Sequence, residues 1–143
     1  MGMVKFGVSL VLMSLTLPGC QTADRSDVPA ALRVKNLMRM PLDDAFAPGR
    51  EVVVSLVELP PNSTLARHRH PGEEFYYCLE GDARVLIDGE PKIVATPGAA
   101  GHIPFKKMHR AISGEQGVKV VVFRVHTVGE PDRYLEEGDA AGR

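Results

Sequence analysis

The chain has 143 residues, a formal net charge of −1 and 44% apolar residues. This length suits one globular domain, and this apolar fraction excludes a largely disordered chain. No basic block occurs, so the charge distribution gives no reason to expect nucleic acid as a partner. The two cysteines, Cys20 and Cys78, are too few for a disulfide framework.

The first 19 residues have the pattern of a signal peptide. Lys5 precedes a mostly apolar run over residues 6–17, which is short for a transmembrane helix. Small residues then lead to Cys20, a pattern that resembles the lipobox of bacterial lipoproteins. We therefore predict a signal peptide over residues 1–19 and lipidation of Cys20. The alternative is an ordinary secretory signal that is cut nearby.

A lipidated Cys20 would anchor the chain in the cell envelope, and the membrane would be contacted through this lipid only. Gln21 follows the cysteine, and bacterial sorting rules then favour the outer membrane, facing the periplasm, in a Gram-negative cell. With an ordinary signal the protein would be secreted. Residues 20–33 are polar and small, which predicts a flexible tether between the lipid and the domain.

Residues 34–128 form the predicted domain, and they contain only strand signals. Short apolar or β-branched segments alternate with glycine and proline turns, and no helical period of useful length occurs. The predicted strands cover residues 34–40, 51–59, 64–70, 75–79, 83–87, 92–95, 102–105, 108–112 and 118–128. This even spacing predicts an all-β sandwich or barrel. Residues 129–143 are expected to form a loose tail.

The segment from His68 to Glu74 has the pattern of a metal site. His68 and His70 are two residues apart, so on an extended strand both imidazoles lie on one face. Pro71 and Gly72 then turn the chain, and a carboxylate on the following strand can return beside the imidazoles. Two nitrogens and one oxygen make an incomplete metal site, which a third imidazole would complete. The alternative is a polar strand face in contact with water.

The chain resembles the cupin superfamily in two motifs. The first family motif is G-x5-H-x-H-x3-E-x6-G, and the second is G-x5-P-x-G-x2-H-x3-N. The matching positions are Asn62, His68, His70, Glu74 and Gly81 for the first, and Gly98, Pro104, Lys106, His109 and Ser113 for the second. Asn62 and Lys106 stand where the family has glycine, and Ser113 stands where it has asparagine. Lys106 is the less comfortable change if its turn requires a left-handed backbone.

The resemblance implies a small cupin β-barrel, a double-stranded β-helix or jelly roll. It also implies one divalent metal held by His68, His70, Glu74 and His109. Choosing Glu74 over Glu73 rests on the family spacing. This nitrogen and oxygen set suits iron, manganese, nickel, copper or zinc, and it leaves positions open for substrate or oxygen. Small cupins are often homodimers, so a homodimer is compatible with the resemblance.

Two functions are compatible with this site. The first is metal-dependent chemistry on a small oxygenated molecule, of the dioxygenase or isomerase kind that cupins perform. The second is a binding module that captures a small ligand, such as a sugar or a carboxylate, without converting it. Tyr76 and Ser113 are candidates to point into the pocket, but both are poor general bases. No catalytic residue is therefore assigned.

Overall fold

The structure is a computed structural model that describes residues 31–136. The predicted signal peptide, the predicted lipidation site Cys20 and most of the predicted tether lie outside the described residues. The last seven residues of the chain also lie outside them.

The described part of the chain is built from antiparallel strands. The eight strands are β1 (Arg33–Pro41), β2 (Arg50–Leu59), β3 (His68–Arg69), β4 (Gly72–Ile87), β5 (Ile93–Ala95), β6 (Ala100–Ile103), β7 (His109–Thr127) and β8 (Tyr134–Leu135). The strand order β1-β2-β7-β3-β8 forms one path through the sheet, and β4 pairs with β5, β6 and β7. Between residues 31 and 136 we find no helix that could span a membrane. The all-β prediction is confirmed.

Strands β4 and β7 are long and bend together, which the sequence did not indicate. The break between the predicted strands 75–79 and 83–87 implies a turn at residues 80–82. Instead β4 continues through this segment beside β7, with register shifts between residues 78 and 83. Gly81 and Gly117 have φ of 70° and 75° at the bend. A Cβ atom on Gly81 would overlap the carbonyl of Gly117. Glycine at both positions thus permits the close approach that curls the sheet.

Alternate residues of β4 face opposite sides of the sheet. Glu74, Tyr76 and Cys78 are buried, whereas Phe75 and Tyr77 are exposed on the outer face of this chain. The buried side continues into an apolar core. This core contains Val85 and Ile87 of β4, Ile103 of β6, and Val118 and Val122 of β7. Burial of such a side chain contributes about 1.5–3 kcal/mol, so this core stabilises the sheet on which the polar cluster is mounted.

Between residues 31 and 136, two non-glycine residues adopt a left-handed backbone, and both replace a glycine of the cupin motifs. Asn62 has φ of 53° and Lys106 has φ of 60°. The turn before His109 therefore does require the conformation that a lysine adopts with strain. Asn62 tolerates it better because asparagine is one of the residues enriched in this region.

The C-terminal segment differs from the expected loose tail. β8 pairs with β3, so that His68 lies opposite Leu135 and Arg69 lies opposite Tyr134. The Arg69 guanidinium also lies 4.5 Å from the centre of the Tyr134 ring. These contacts hold the chain at residues 134–135 beside the strand that carries the two histidines.

Candidate metal centre

Three imidazoles meet at one end of the curled sheet. His68 on β3 lies directly opposite His109 on β7, and their ring centroids are 4.3 Å apart. His70 lies just beyond β3, with its ring 4.8 Å from that of His68 and 5.3 Å from that of His109. One ring nitrogen from each histidine lies within 4.8 Å of the others. The cluster brings together residues that are 41 positions apart in the sequence (109 − 68).

Backbone carbonyls hold the Nδ1 atom of each ring. His68 Nδ1 lies 2.7 Å from the Ala66 carbonyl, His70 Nδ1 lies 2.6 Å from the Asp132 carbonyl, and His109 Nδ1 lies 3.1 Å from the Lys107 carbonyl. A carbonyl oxygen only accepts, so each Nδ1 must carry the proton. The proton is then absent from Nε2 in the neutral ring, and the Nε2 lone pair is free to bind a cation.

Glu74 supplies a carboxylate to two of these rings. Its Oε2 lies 2.7 Å from His70 Nε2, and its Oε1 lies 3.8 Å from His109 Nε2. Burial acts to raise the pKa of this carboxyl, but the His70 imidazole, with His109 and Arg124, outweighs it and lowers the pKa to about 2. Glu74 is therefore ionised at neutral pH. Glu73 points the other way and accepts hydrogen bonds from exposed groups, the His102 ring and the Phe105 amide.

The imidazoles of His68 and His109 are neutral at physiological pH. Burial, with the neighbouring rings of His109 and His70, lowers the pKa of His68 to about 3. Burial also lowers the pKa of His109. Metal ligation requires unprotonated imidazole, so these rings need not lose a proton before they bind a cation near pH 7.

The donor set fits a divalent transition metal. The Nε2 atoms of His70 and His109 are buried and have no hydrogen-bond partner among residues 31–136. Two lone pairs and a carboxylate packed this closely repel one another unless a positive charge lies among them. Three nitrogens and one oxygen suit iron, manganese, nickel, copper or zinc alike. The four-residue ligand set and the identity of the metal both stay predictions.

A cavity of about 280 Å³ adjoins the histidine cluster. Its polar lining includes the three histidines, Glu74, Tyr76 and Arg124. The rest is largely aliphatic and includes Val57, Leu59, Leu65, Val85, Val118, Val120 and Val122. A concave, mostly apolar space with a few polar groups is typical of small-molecule sites.

The two residues predicted to point into the pocket behave differently. Tyr76 lines the cavity, and its buried hydroxyl has no hydrogen-bond partner in the described part of the chain. Ser113 does not line the cavity, so the prediction that it points into the pocket is wrong. Its Oγ donates to the Pro60 carbonyl and accepts from the Ser63 amide at 3.0 Å. Ser113 thus ties the turn that contains Asn62 to β7, which leaves its hydroxyl no role in the cavity.

Sequence reasoning missed Arg124 and Asp132 as residues of the site. Arg124 lies on β7 opposite Glu74, and it is 6% exposed. The alternation of inward residues along β7, with Val118, Val120 and Val122 on the cavity side, was the signal that could have identified it. Asp132 contributes a backbone carbonyl to His70, and no residue pattern would have indicated this contact.

Comparison with known proteins now places this site in a family. The cupin domain family matches residues 55–126, which include all four predicted ligands. The chain belongs to the cupin domain family. The predicted jelly roll is confirmed by solved cupins of the same fold. One is a cupin-like protein from Thermotoga maritima (TM-score 0.54, 18% identity), where the match covers 73% of this chain and 75% of that one.

Two further relatives carry a named activity. The dimethylsulfoniopropionate lyase DddW of Ruegeria pomeroyi is 37% identical over 70 residues, which are 49% of this chain and 45% of that protein. The crystal structure of the DMSP lyase DddQ from Ruegeria pomeroyi matches with 25% identity and a TM-score of 0.54, over 59% of this chain and 42% of that one. This cupin therefore spans less than half the length of either lyase that it matches.

Proposed function

We propose that this cupin is a metal-dependent lyase that acts on a small carboxylate substrate, with dimethylsulfoniopropionate as the first compound to test. The observation that carries the proposal is the buried cluster of three imidazoles and Glu74 beside the unpartnered hydroxyl of Tyr76. The similarity to two dimethylsulfoniopropionate lyases supports it.

The reaction would be a β-elimination. A base removes a proton from the carbon next to the carboxylate, and the electrons of that bond form a carbon–carbon double bond. The carbon–sulfur bond breaks at the same time, and its electron pair leaves with the sulfur. The products are dimethyl sulfide, acrylate and one proton, so the reaction needs neither an oxidant nor water.

Tyr76 is the candidate to accept the proton. Tyr76 lines the cavity and its hydroxyl is buried. Burial, followed by the neighbouring Cys78 and Glu74, raises the pKa of the phenol. Because a protonated phenol is a weak base, the side chain needs a positive charge nearby in order to act. A divalent cation in the cluster would supply that charge as a Lewis acid and would also stabilise negative charge on the substrate carboxylate. The walls of this space are largely aliphatic, which disfavours water there.

Gly101 leaves space for the Tyr76 ring because it has no side chain. The two residues lie opposite each other on β6 and β4, and a Cβ atom at position 101 would overlap the Tyr76 ring. The outer end of the ring therefore packs closely against the backbone of β6 at Gly101. This arrangement fixes the direction in which the phenol can act.

Oxygen chemistry, isomerisation and simple ligand capture stay predictions for this ligand set. The products distinguish them. A dioxygenase would consume oxygen, an isomerase would return a product of unchanged mass, and a binding module would bind without conversion. Elimination alone releases a volatile sulfide in the absence of oxygen.

The test uses the full-length protein loaded with Fe(II), Mn(II), Ni(II), Cu(II) or Zn(II) in separate samples. We expect at least one of them to release dimethyl sulfide and acrylate from dimethylsulfoniopropionate, measured by gas and liquid chromatography under nitrogen. Tyr76→Phe should lose roughly 100-fold or more in kcat while retaining its metal. Tyr77→Phe, which changes the neighbouring exposed tyrosine, is the matched control and should remain active. Absence of both products with every metal would contradict the proposal.

Location is proposed from the sequence alone, and assembly from the resemblance to small cupins together with the surface of the single chain. A lipid on Cys20 would hold this cupin at the cell envelope, and Cys20→Ala should then move it from the membrane fraction to the soluble fraction. A homodimer is compatible with the apolar outer face of β4, where Phe75, Tyr77 and Leu79 are exposed in the single chain. Light scattering of the purified protein measures that state directly.

A further inference from the structure

Arg124 is a buried guanidinium at the wall of the cavity. It lies opposite Glu74 on β4 and opposite Val53 on β2, and opposed residues of antiparallel strands project to the same face. Arg124 therefore shares the inner face with Glu74 and is one of the cavity-lining residues. Arginine is rarely buried to this degree unless its charge is compensated.

The polar contacts of Arg124 anchor it without neutralising it. Its Nη2 donates to Ser55 Oγ at 2.9 Å, and Ser55 donates in turn to Asn36 Oδ1 at 2.8 Å. Its Nε is buried and finds no hydrogen-bond acceptor within residues 31–136. The Glu74 carboxylate lies 2.7 Å from His70 Nε2 and 3.8 Å from His109 Nε2, and in the same residues no ion pair joins it to Arg124. One edge of the guanidinium is fixed, and its charge is left without a direct counter-ion.

The charges of the site favour an anion. The Glu74 carboxylate would offset only one of the two charges of a divalent metal, and Arg124 adds another positive charge on the same face. A buried cation without an anionic partner is costly, whereas a carboxylate that accepts from a guanidinium forms a strong charge-assisted hydrogen bond. Asp132 and Arg133 also line the cavity, and their opposite charges offset each other. Most of the remaining wall is aliphatic and suits a short hydrocarbon chain.

We propose that Arg124 binds the carboxylate of the substrate and thereby selects small monocarboxylates with an aliphatic remainder. This inference rests on the proposed function, because it assigns the substrate class of the same cavity. Arg124 acts here as a substrate-binding residue, and Ser55 positions it. Proton transfer is left to Tyr76.

The experiment compares two ligands of the same shape and different charge, propionate and propionamide. Their binding to the metal-loaded full-length protein is measured by isothermal titration calorimetry. The parent protein should bind propionate more tightly than propionamide. Arg124→Gln should weaken propionate binding about tenfold or more, the loss expected for one charge-assisted hydrogen bond, and should leave propionamide binding within about twofold. Metal content and circular dichroism are measured for each variant.

Arg110→Gln is the matched control, because Arg110 is an exposed arginine on the same strand. It should bind both ligands as the parent does. If Arg124→Gln does not fold or does not hold metal, Arg124→Lys takes its place, since it keeps the charge and loses the planar fork. Arg124→Lys should bind propionate at least about threefold more weakly than the parent, with propionamide unchanged.

Equal propionate affinity in the parent and in the folded Arg124 variant would overturn the inference, as would an equal loss for both ligands. These outcomes are separate from those of the lyase test. If dimethyl sulfide is released but Arg124→Gln has an unchanged KM, the lyase proposal stands and the assignment of Arg124 fails. If no product forms but charge-selective binding depends on Arg124, the assignment stands and the lyase proposal fails.

Discussion

The ring of His70 is held by the backbone carbonyl of Asp132, which lies 2.6 Å from its Nδ1 and 62 residues further along the chain. The Asp132 carboxylate is itself bound by Arg39, whose guanidinium also binds the buried carboxylate of Glu51. Arg39 thus connects the edge strand β1 to the loop that orients a predicted metal ligand. Groups that hold ligating histidines in this way tune metal affinity.

Arg39→Ala should therefore weaken metal binding without unfolding the domain. The Asp132 loop loses its anchor, so the His70 ring is held less firmly and its Nε2 is less well aimed. We expect a fall of roughly tenfold in metal affinity, measured by competition with a chromophoric chelator. Arg33→Ala, at the other end of β1, is the control and should bind metal as the parent does. Unchanged metal affinity in Arg39→Ala would show that the loop orients His70 without the contact between Arg39 and Asp132.

The choice between the two adjacent glutamates can be tested by a matched pair of variants. Glu74→Gln removes a charge 2.7 Å from His70 Nε2, whereas Glu73→Gln changes a side chain on the outer face. Glu74→Gln should lower metal affinity by roughly 10-fold to 100-fold, and Glu73→Gln should leave it unchanged. The metal content of each variant after dialysis, measured by elemental mass spectrometry, distinguishes Glu74→Gln from Glu73→Gln. The reverse pattern would mean that the strand register at the turn is shifted by one residue.

The metal-free protein should lose stability in mild acid. The pKa of His68 falls from its ordinary value of 6.5 to about 3 and that of His126 to about 4, both chiefly because of burial. The unfolded chain then binds more protons than the folded chain below pH 6.5, so the free energy of unfolding decreases as pH falls from about 6.5 towards 3. His68 alone accounts for a decrease on the order of 3 kcal/mol by pH 4.

Urea denaturation between pH 7.5 and pH 4 measures this slope. His68→Asn removes the titrating group and should flatten the pH dependence, whereas His102→Asn changes an exposed histidine and should keep it. A parent protein whose stability is constant over this range would exclude neutral, buried imidazoles as the cause. Glu74, with its pKa lowered to about 2, adds a further loss only below its ordinary pKa of 4.5.

Lys106→Gly should stabilise the protein. Lys106 has φ of 60°, a conformation that costs most residues about 1–2 kcal/mol and costs glycine little. The greater freedom of glycine in the unfolded chain offsets part of this gain, so we expect a net increase of about 0.5–1 kcal/mol in the free energy of unfolding. Lys106→Ala retains the strain and serves as the control. A Gly variant no more stable than the Ala variant would show that the turn relaxes at no cost.

Much of this architecture follows from local patterns. The period-two alternation of a strand places Glu74 and Tyr76 on one face, because neighbouring side chains must leave opposite faces, and both are buried in the structure. The spacing of His68, His70 and His109 in two motifs predicted the cluster that the structure assembles. The predicted turn at residues 80–82 was wrong, because the close pairing of β4 with β7 carries both strands through the bend.

The sequence by itself determined the strand content, the family and the residue types of the metal centre, since these depend on short spacings and on side-chain chemistry. Only the tertiary structure decided what surrounds that centre. Asp132 reaches His70 across 62 residues, and Ser55 anchors Arg124 across 69. Such contacts depend on how distant strands come together in space, and a backbone carbonyl is present at every residue, so no local pattern distinguishes the ones that matter.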